Sequence, residues 1–238
     1  MELRMDGRVA LVTGGSKGLG YAMAHKFAAS GAQVCIVARN GREVSEAAER
    51  IKLETGSDSL GLPCDVSQAD QLKSVFDACI ETFGKVDILI NNAGHAKAGE
   101  FESITDEEWQ YDFDLKLMAA VRMSRLVFPG MKERRWGRII NMLNTLAKTP
   151  AKGSAPTSVT RAAGMALTKV LAGEGAPHNI LVNGFNIGLI KSDQIQRGYD
   201  SKPREESFDE FVARAGEKSV PIGRYGEAEE GANLARLL

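Results

Sequence analysis

Residues 8–20 read RVALVTGGSKGLG, and the order of residue types in this stretch points to the fold class. The apolar run at 9–12 is far too short to cross a bilayer, and the glycines that close it mark a strand buried on both faces. Gly14, Ser16, Lys17, Gly18, Leu19 and Gly20 then lead directly into an amphipathic segment, read as a helix over 18–30. Glycine lets the backbone turn tightly and approach an anion, while the start of a helix offers unpaired N–H groups and the positive end of its dipole. Strand, glycine-rich turn and helix in that order open a β-α-β unit with a phosphate-binding turn.

The same alternation continues outward. QVCIVAR at 33–39 reads as a second strand with a helix over 42–54. A weaker strand near LGLPCD at 60–65 precedes an amphipathic segment at 69–83. VDILINNAG at 86–94 gives the fourth strand, and TDEE at 105–108 supplies an N-cap and first-turn acids for a long helix. GRIINML at 137–143 is the fifth strand, a helix is expected across 158–173, and ILVNGFNI at 180–187 is the sixth. This pattern predicts an α/β fold: a Rossmann-type, doubly wound parallel sheet in three layers. No repeat or linker divides the chain, so residues 1–238 are expected to form a single dinucleotide-binding domain. The charged stretch 191–218 leaves the carboxyl end of a strand and is read either as a lid over a site or as a solvated surface excursion.

Composition narrows the function. Thirty basic and thirty-one acidic side chains among 238 residues leave a formal charge of −1, with no global pull toward nucleic acid or a membrane surface. Cys35, Cys64 and Cys79 show no Cys-x-x-Cys spacing, which fits buried thiols in a reducing, cytoplasmic setting. His25, His95 and His178 lack a His-Glu-x-x-His spacing, so no metal site is expected.

Four blocks, TGGSKGLG at 13–20, CDV at 64–66, NNAG at 91–94 and PIGRYG at 221–226, fall in an order that resembles the short-chain dehydrogenase/reductase family. The resemblance implies a dinucleotide cofactor on the glycine loop, with Asp65 and Val66 at the adenine and Asn92, Ala93 and Gly94 along the ribose. Ala38 stands where a carboxylate commonly selects NAD, and Arg39 and Lys17 flank it. Two cations without a carboxylate favour a 2′-phosphate, hence NADP(H) over NAD(H). Gly188 and Ser192 fall where the resemblance places contacts to the nicotinamide.

The family's proton-transfer pattern is a tyrosine, a lysine four residues later, an earlier serine and an asparagine in the preceding long helix. Those places fall here on Thr157, Arg161, Asn144 and Lys116. The tyrosines are Tyr21, Tyr111, Tyr199 and Tyr225, none of them between the fifth and sixth strands. Carbonyl reduction needs a group that meets the developing alkoxide. Asn144 and Thr157 can donate hydrogen bonds, and Arg161 can hold the cofactor ribose. Lys116 is either an ion-pair partner on a helix face or an ammonium of lowered pKa beside Arg161. His95, and more remotely Lys191 and Tyr199, are further candidates. Two functions remain open at this level. One is an NADP(H)-dependent oxidoreductase acting on the carbonyl/alcohol pair of a small-molecule substrate; the other is a non-catalytic NADP(H)-binding sensor or subunit.

Met118, Val121, Met165 and Leu167 lie on the helices that the resemblance assigns to a homodimer or homotetramer interface. The chain stops at GEAEEGANLARLL, residues 226–238, where the family continues into a seventh strand. The expected sheet therefore lacks its last strand and leaves the sixth with an open edge.

Overall fold

Six parallel strands, β1 (Val9–Thr13), β2 (Gln33–Ala38), β3 (Ser59–Pro63), β4 (Ile88–Asn91), β5 (Gly137–Asn144) and β6 (Ile180–Ile187), form one sheet in the order 3-2-1-4-5-6. The computed structural model describes residues 3–201, 203 and 205–238. Every residue of β1 is buried because it lies between β2 and β4, with Leu11 opposite both Cys35 and Leu89. Alternating side chains feed two cores. Val9, Leu11, Cys35, Val37, Leu89 and Ile139 pack on one face, toward α3 (Ala69–Phe83) and α5 (Ala119–Arg134). Ala10, Val12, Val34, Ile36, Ile90 and Ile140 pack on the other, toward α1 (Gly18–Ala28), α2 (Gly41–Thr55) and α9 (Ala228–Leu237). The strand order reverses between β1 and β4, which opens a crevice at their carboxyl ends, the usual ligand position in such sheets.

Local signals set most helix limits. Asn40 caps α2, and Gly56 ends it in the left-handed region. At the start of α4 (Asp106–Phe113), Thr105 is the N-cap and three acids fill the first turn, as TDEE predicts, and Glu108 reaches back to close a reciprocal capping box. Two features lay outside the sequence reading. A π turn, Asp114–Met118, joins α4 to α5, and a two-stranded ribbon pairs Ala98–Gly99 with Ala155–Pro156 ahead of α6 (Thr157–Gly175).

The stretch 191–218 holds two helices, α7 (Asp193–Asp200) and α8 (Phe208–Ser219). Tyr199 rests on Phe208 and Phe211 and donates its hydroxyl to the Glu206 carbonyl, so it clasps these helices together. Lys202 and Arg204 of that stretch lie outside the described residues. Among the described residues, β6 forms one edge of the sheet, and no helix is long and apolar enough to cross a membrane.

Candidate active site

The glycine loop is drawn tight by its neighbours. Gly14 and Gly18 have φ of +66° and +56°, the left-handed region that glycine occupies without strain. Asn92 donates its side-chain amide to the carbonyls of Thr13 and Gly14, each at 3.0 Å, while Thr13 Oγ1 accepts from the backbone N–H groups of Asn92 and Ala93. A Cβ at Gly20 would stand 2.2 Å from the Gly14 oxygen, so this helix turn and the loop meet backbone to backbone. Asn92 and Ala93 thus brace the loop itself, a role the sequence reading had not given them.

Helix α1 starts at Gly18 with no capping side chain and no acid in its first turn, which leaves its amino end suited to an anion. Lys17 pairs with Glu43 at 3.1 Å, and Arg39 is exposed just beyond β2. Asp65 uses one carboxylate oxygen to accept from the Ser67 N–H and hydroxyl. Leu19 is buried against Gly231 of α9. A glycine cradle, an uncapped helix start and cations at the rim fit a dinucleotide.

Across the crevice, at the carboxyl ends of β4 and β5, lies a buried polar cluster. Lys116 in the π turn forms an ion pair with Asp112 and donates to Thr157 Oγ1 at 2.7 Å. Thr160 donates to the second Asp112 oxygen at 2.7 Å. Arg161 donates to the Met142 carbonyl, and a Cβ at Gly94 would lie 2.7 Å from its guanidinium and 3.6 Å from Lys116 Cγ. Burial, reinforced by the Arg161 charge and opposed by Asp112, pulls Lys116 from 10.5 down to about 8. Burial also lowers Arg161 to about 10, where it stays cationic at neutral pH. His95 is half-buried, 6.0 Å from the Tyr111 ring, and burial together with the nearby Lys116 charge lowers its pKa. One side-chain oxygen of Asn144 is buried without a hydrogen-bond partner among the described residues.

Residues 8–202 match the family model described as short chain dehydrogenase. The chain belongs to the short-chain dehydrogenase family. It is 29% identical over 238 residues to the 3-oxoacyl-(acyl-carrier-protein) reductase FabG of Aquifex aeolicus (strain VF5), covering all of this chain and 92% of that protein. It is 33% identical over 238 residues to the Escherichia coli (strain K12) reductase of the same name, covering 99% of this chain and 91% of that one. The crystal structure of L-sorbose reductase from Gluconobacter frateurii, complexed with NADPH and L-sorbose, superposes with a TM-score of 0.96 at 34% identity, covering 100% and 91% of the two chains. A 7α-hydroxysteroid dehydrogenase complexed with NADH and 7-oxo glycochenodeoxycholic acid superposes with a TM-score of 0.89 at 27% identity, covering 100% and 89%. The two solved relatives carry different dinucleotides, so the shared fold leaves that choice to local residues.

As a short-chain oxidoreductase, the chain brings Lys116, Thr157, Arg161 and Gly94 into one cluster. Thr157 is placed differently from the sequence expectation of a donor facing a carbonyl. Its hydroxyl accepts from Lys116 and from the Lys97 N–H and donates to the Lys97 carbonyl at 2.7 Å, so its proton is already engaged. Ser192 caps α7 through its hydroxyl, Lys191 pairs with Glu227 at 2.7 Å, and Gly188 is exposed. Asp112 and Thr160 were not singled out from sequence. The available signal was an Asp–Lys pair at i and i+4 on one helix face, a spacing that favours pairing.

Proposed function

We propose that this chain is an NADP(H)-dependent reductase of a carbonyl/alcohol pair, with Lys116 supplying the proton in place of a tyrosine. The observation that carries this reading is the buried Asp112–Lys116–Thr157 cluster beside Arg161 and Gly94, holding an ammonium whose pKa is close to working pH. A bound nicotinamide supplies the hydride in such a reaction. The Lys116 ammonium has three N–H groups; Asp112 and Thr157 take two, and the third serves the substrate oxygen. Thr157 therefore acts by holding Lys116, and the Asn144 amide helps to orient the carbonyl. Arg161 holds the cofactor ribose and keeps a positive charge near the reacting oxygen.

NADP(H) is favoured by Arg39 and Lys17 at the rim and by the NADPH in the L-sorbose reductase complex. Asp65, Val66, Asn92, Ala93, Gly188 and Ser192 complete the cofactor cleft. The described residues of the stretch 191–218 act as its cover within a single domain, supported by the 3.0 Å bond from the Ala96 N–H to Gln194 Oε1 on α7. A homodimer or homotetramer through α5 and α6 is supported by the groove that Val121, Phe128, Leu167 and Leu171 line. Three free, buried cysteines suit a cytoplasmic setting.

The test is loss of NADPH absorbance with a panel of carbonyls that includes L-sorbose and 3-oxoacyl thioesters, alongside titration with NADPH and NADH. The reading predicts turnover with at least one carbonyl and tighter binding of NADPH; Arg39→Asp should weaken NADPH binding by about tenfold or more, the worth of a charge-assisted phosphate contact. Tight NADPH binding without turnover would favour the second reading, a non-catalytic NADP(H) sensor or subunit. That reading draws on the internal engagement of the Thr157 hydroxyl.

A further inference from the structure

Asp112 is 1% exposed, and both of its carboxylate oxygens are engaged, one by Lys116 and the other by Thr160 of α6. The π turn begins two residues later and carries Lys116, with the Ala119 N–H reaching back to the Asp114 carbonyl. Wide turns of this kind are frequent at functional sites. Asp112 also lines a cavity of about 290 Å³ together with His95, Lys97, Glu107, Glu108 and Tyr111. Lys97, Glu107 and Tyr111 are exposed, so the cavity opens to solvent. Asp112 therefore holds the ammonium through one oxygen and is part of the wall of a space that reaches solvent.

We propose that Asp112 is a positioning residue of this active site, holding the Lys116 ammonium in place and linking it to solvent through the cavity lined by His95 and Tyr111. The proposal rests on the reading of Lys116 as proton donor. In each turnover one proton leaves Lys116 Nζ for the substrate oxygen, and one proton from solvent returns to Nζ by way of Asp112. The groups facing Lys116 are Asp112 on its own helix, Arg161 and Thr157 from α6, and His95 from the segment after β4. Lys97 is paired with Glu108 at 2.6 Å. Asp112 is the one anion among these, and it stabilises the charged amine together with the Thr157 hydroxyl that accepts from it.

The experiment is a titration of Lys116 by NMR in the ¹³C-lysine-labelled chain, assigned with Lys116→Arg, together with pH profiles of turnover. In Asp112→Asn the Lys116 pKa should fall by about 1–3 units from its value of about 8, and the alkaline limb of turnover should move with it. Asp112→Glu should restore much of that shift. His95→Phe, which replaces the polar imidazole of the cavity wall with an apolar ring and leaves the atoms of the ion pair in place, should lower kcat several-fold while leaving the Lys116 titration in place; it also serves if Asp112→Asn does not fold. An unmoved titration and limb in folded Asp112→Asn overturns the proposal, as does unchanged kcat in His95→Phe. A wild-type chain that reduces no carbonyl removes the reading beneath it and the proposal with it, an outcome recognisable because the wild type itself is silent.

Discussion

Replacing Lys116 by glutamine removes a buried ammonium, and its effect on stability should depend on pH in a defined direction. Lys116 is 6% exposed, and its pKa is lowered from 10.5 to about 8 in the folded chain, chiefly by burial. Below about pH 8 both folded and unfolded states hold the proton, and the folded state bears the full cost of the buried charge. Between about pH 8 and 10.5 the folded state has released its proton while the unfolded state still binds it, so stability rises with pH. Above about 10.5 both are neutral and the cost is gone. At about 1.4 kcal/mol per pH unit, the full excursion is worth about 3 kcal/mol. Urea unfolding of wild type and Lys116→Gln across about pH 7.5 to 10.5 isolates this contribution, because the other titrating groups are common to both chains. Wild type should gain about 3 kcal/mol on the variant over that range. A difference that stays flat, or that moves against wild type, would refute the assignment of a depressed pKa to Lys116.

Three further outcomes follow from the same geometry. Gly20→Ala forces a Cβ to within 2.2 Å of the Gly14 oxygen and should weaken dinucleotide binding by more than about tenfold with a clear loss of Tm, read by fluorescence titration and thermal unfolding. Gln194→Ala removes the bond to Ala96 on an exposed surface and should speed ligand dissociation, measured by stopped flow, while stability changes by less than about 0.5 kcal/mol. Paired substitution of Val121 and Leu167 by aspartate should convert the assembled protein to monomer in light scattering; a wild-type chain that is monomeric at all concentrations would reject that assembly.

Strand and helix signals were legible wherever one residue type had a local mechanical consequence. The apolar run at Val9, the left-handed glycines at 14 and 18, Thr105 with Glu108, and the start of α3 at Ala69 all act through their immediate neighbours in the chain. The ribbon at Ala98–Gly99 escaped notice because two residues carry no periodicity, and the π turn because its helical pattern is continuous on both sides. The charged composition of 191–218 concealed two helices whose contact depends on three aromatic residues, Tyr199, Phe208 and Phe211.

The parallel sheet, the phosphate-binding turn and the identities at positions 116, 144, 157 and 161 follow from the chain alone, because periodicity, glycine freedom and residue chemistry are properties of the chain. What those residues do to one another depends on the packing of elements far apart in the chain. Thr157 meets Lys116 across 41 residues of sequence, and Thr160 meets Asp112 across 48. Whether a hydroxyl is open to a ligand or already committed, and whether an i, i+4 pair lies in water or is buried, depends on the neighbours that other elements bring. For Lys116 those neighbours are Asp112, Thr157 and Arg161, and their charges and burial set the proton affinity on which the proposed chemistry turns.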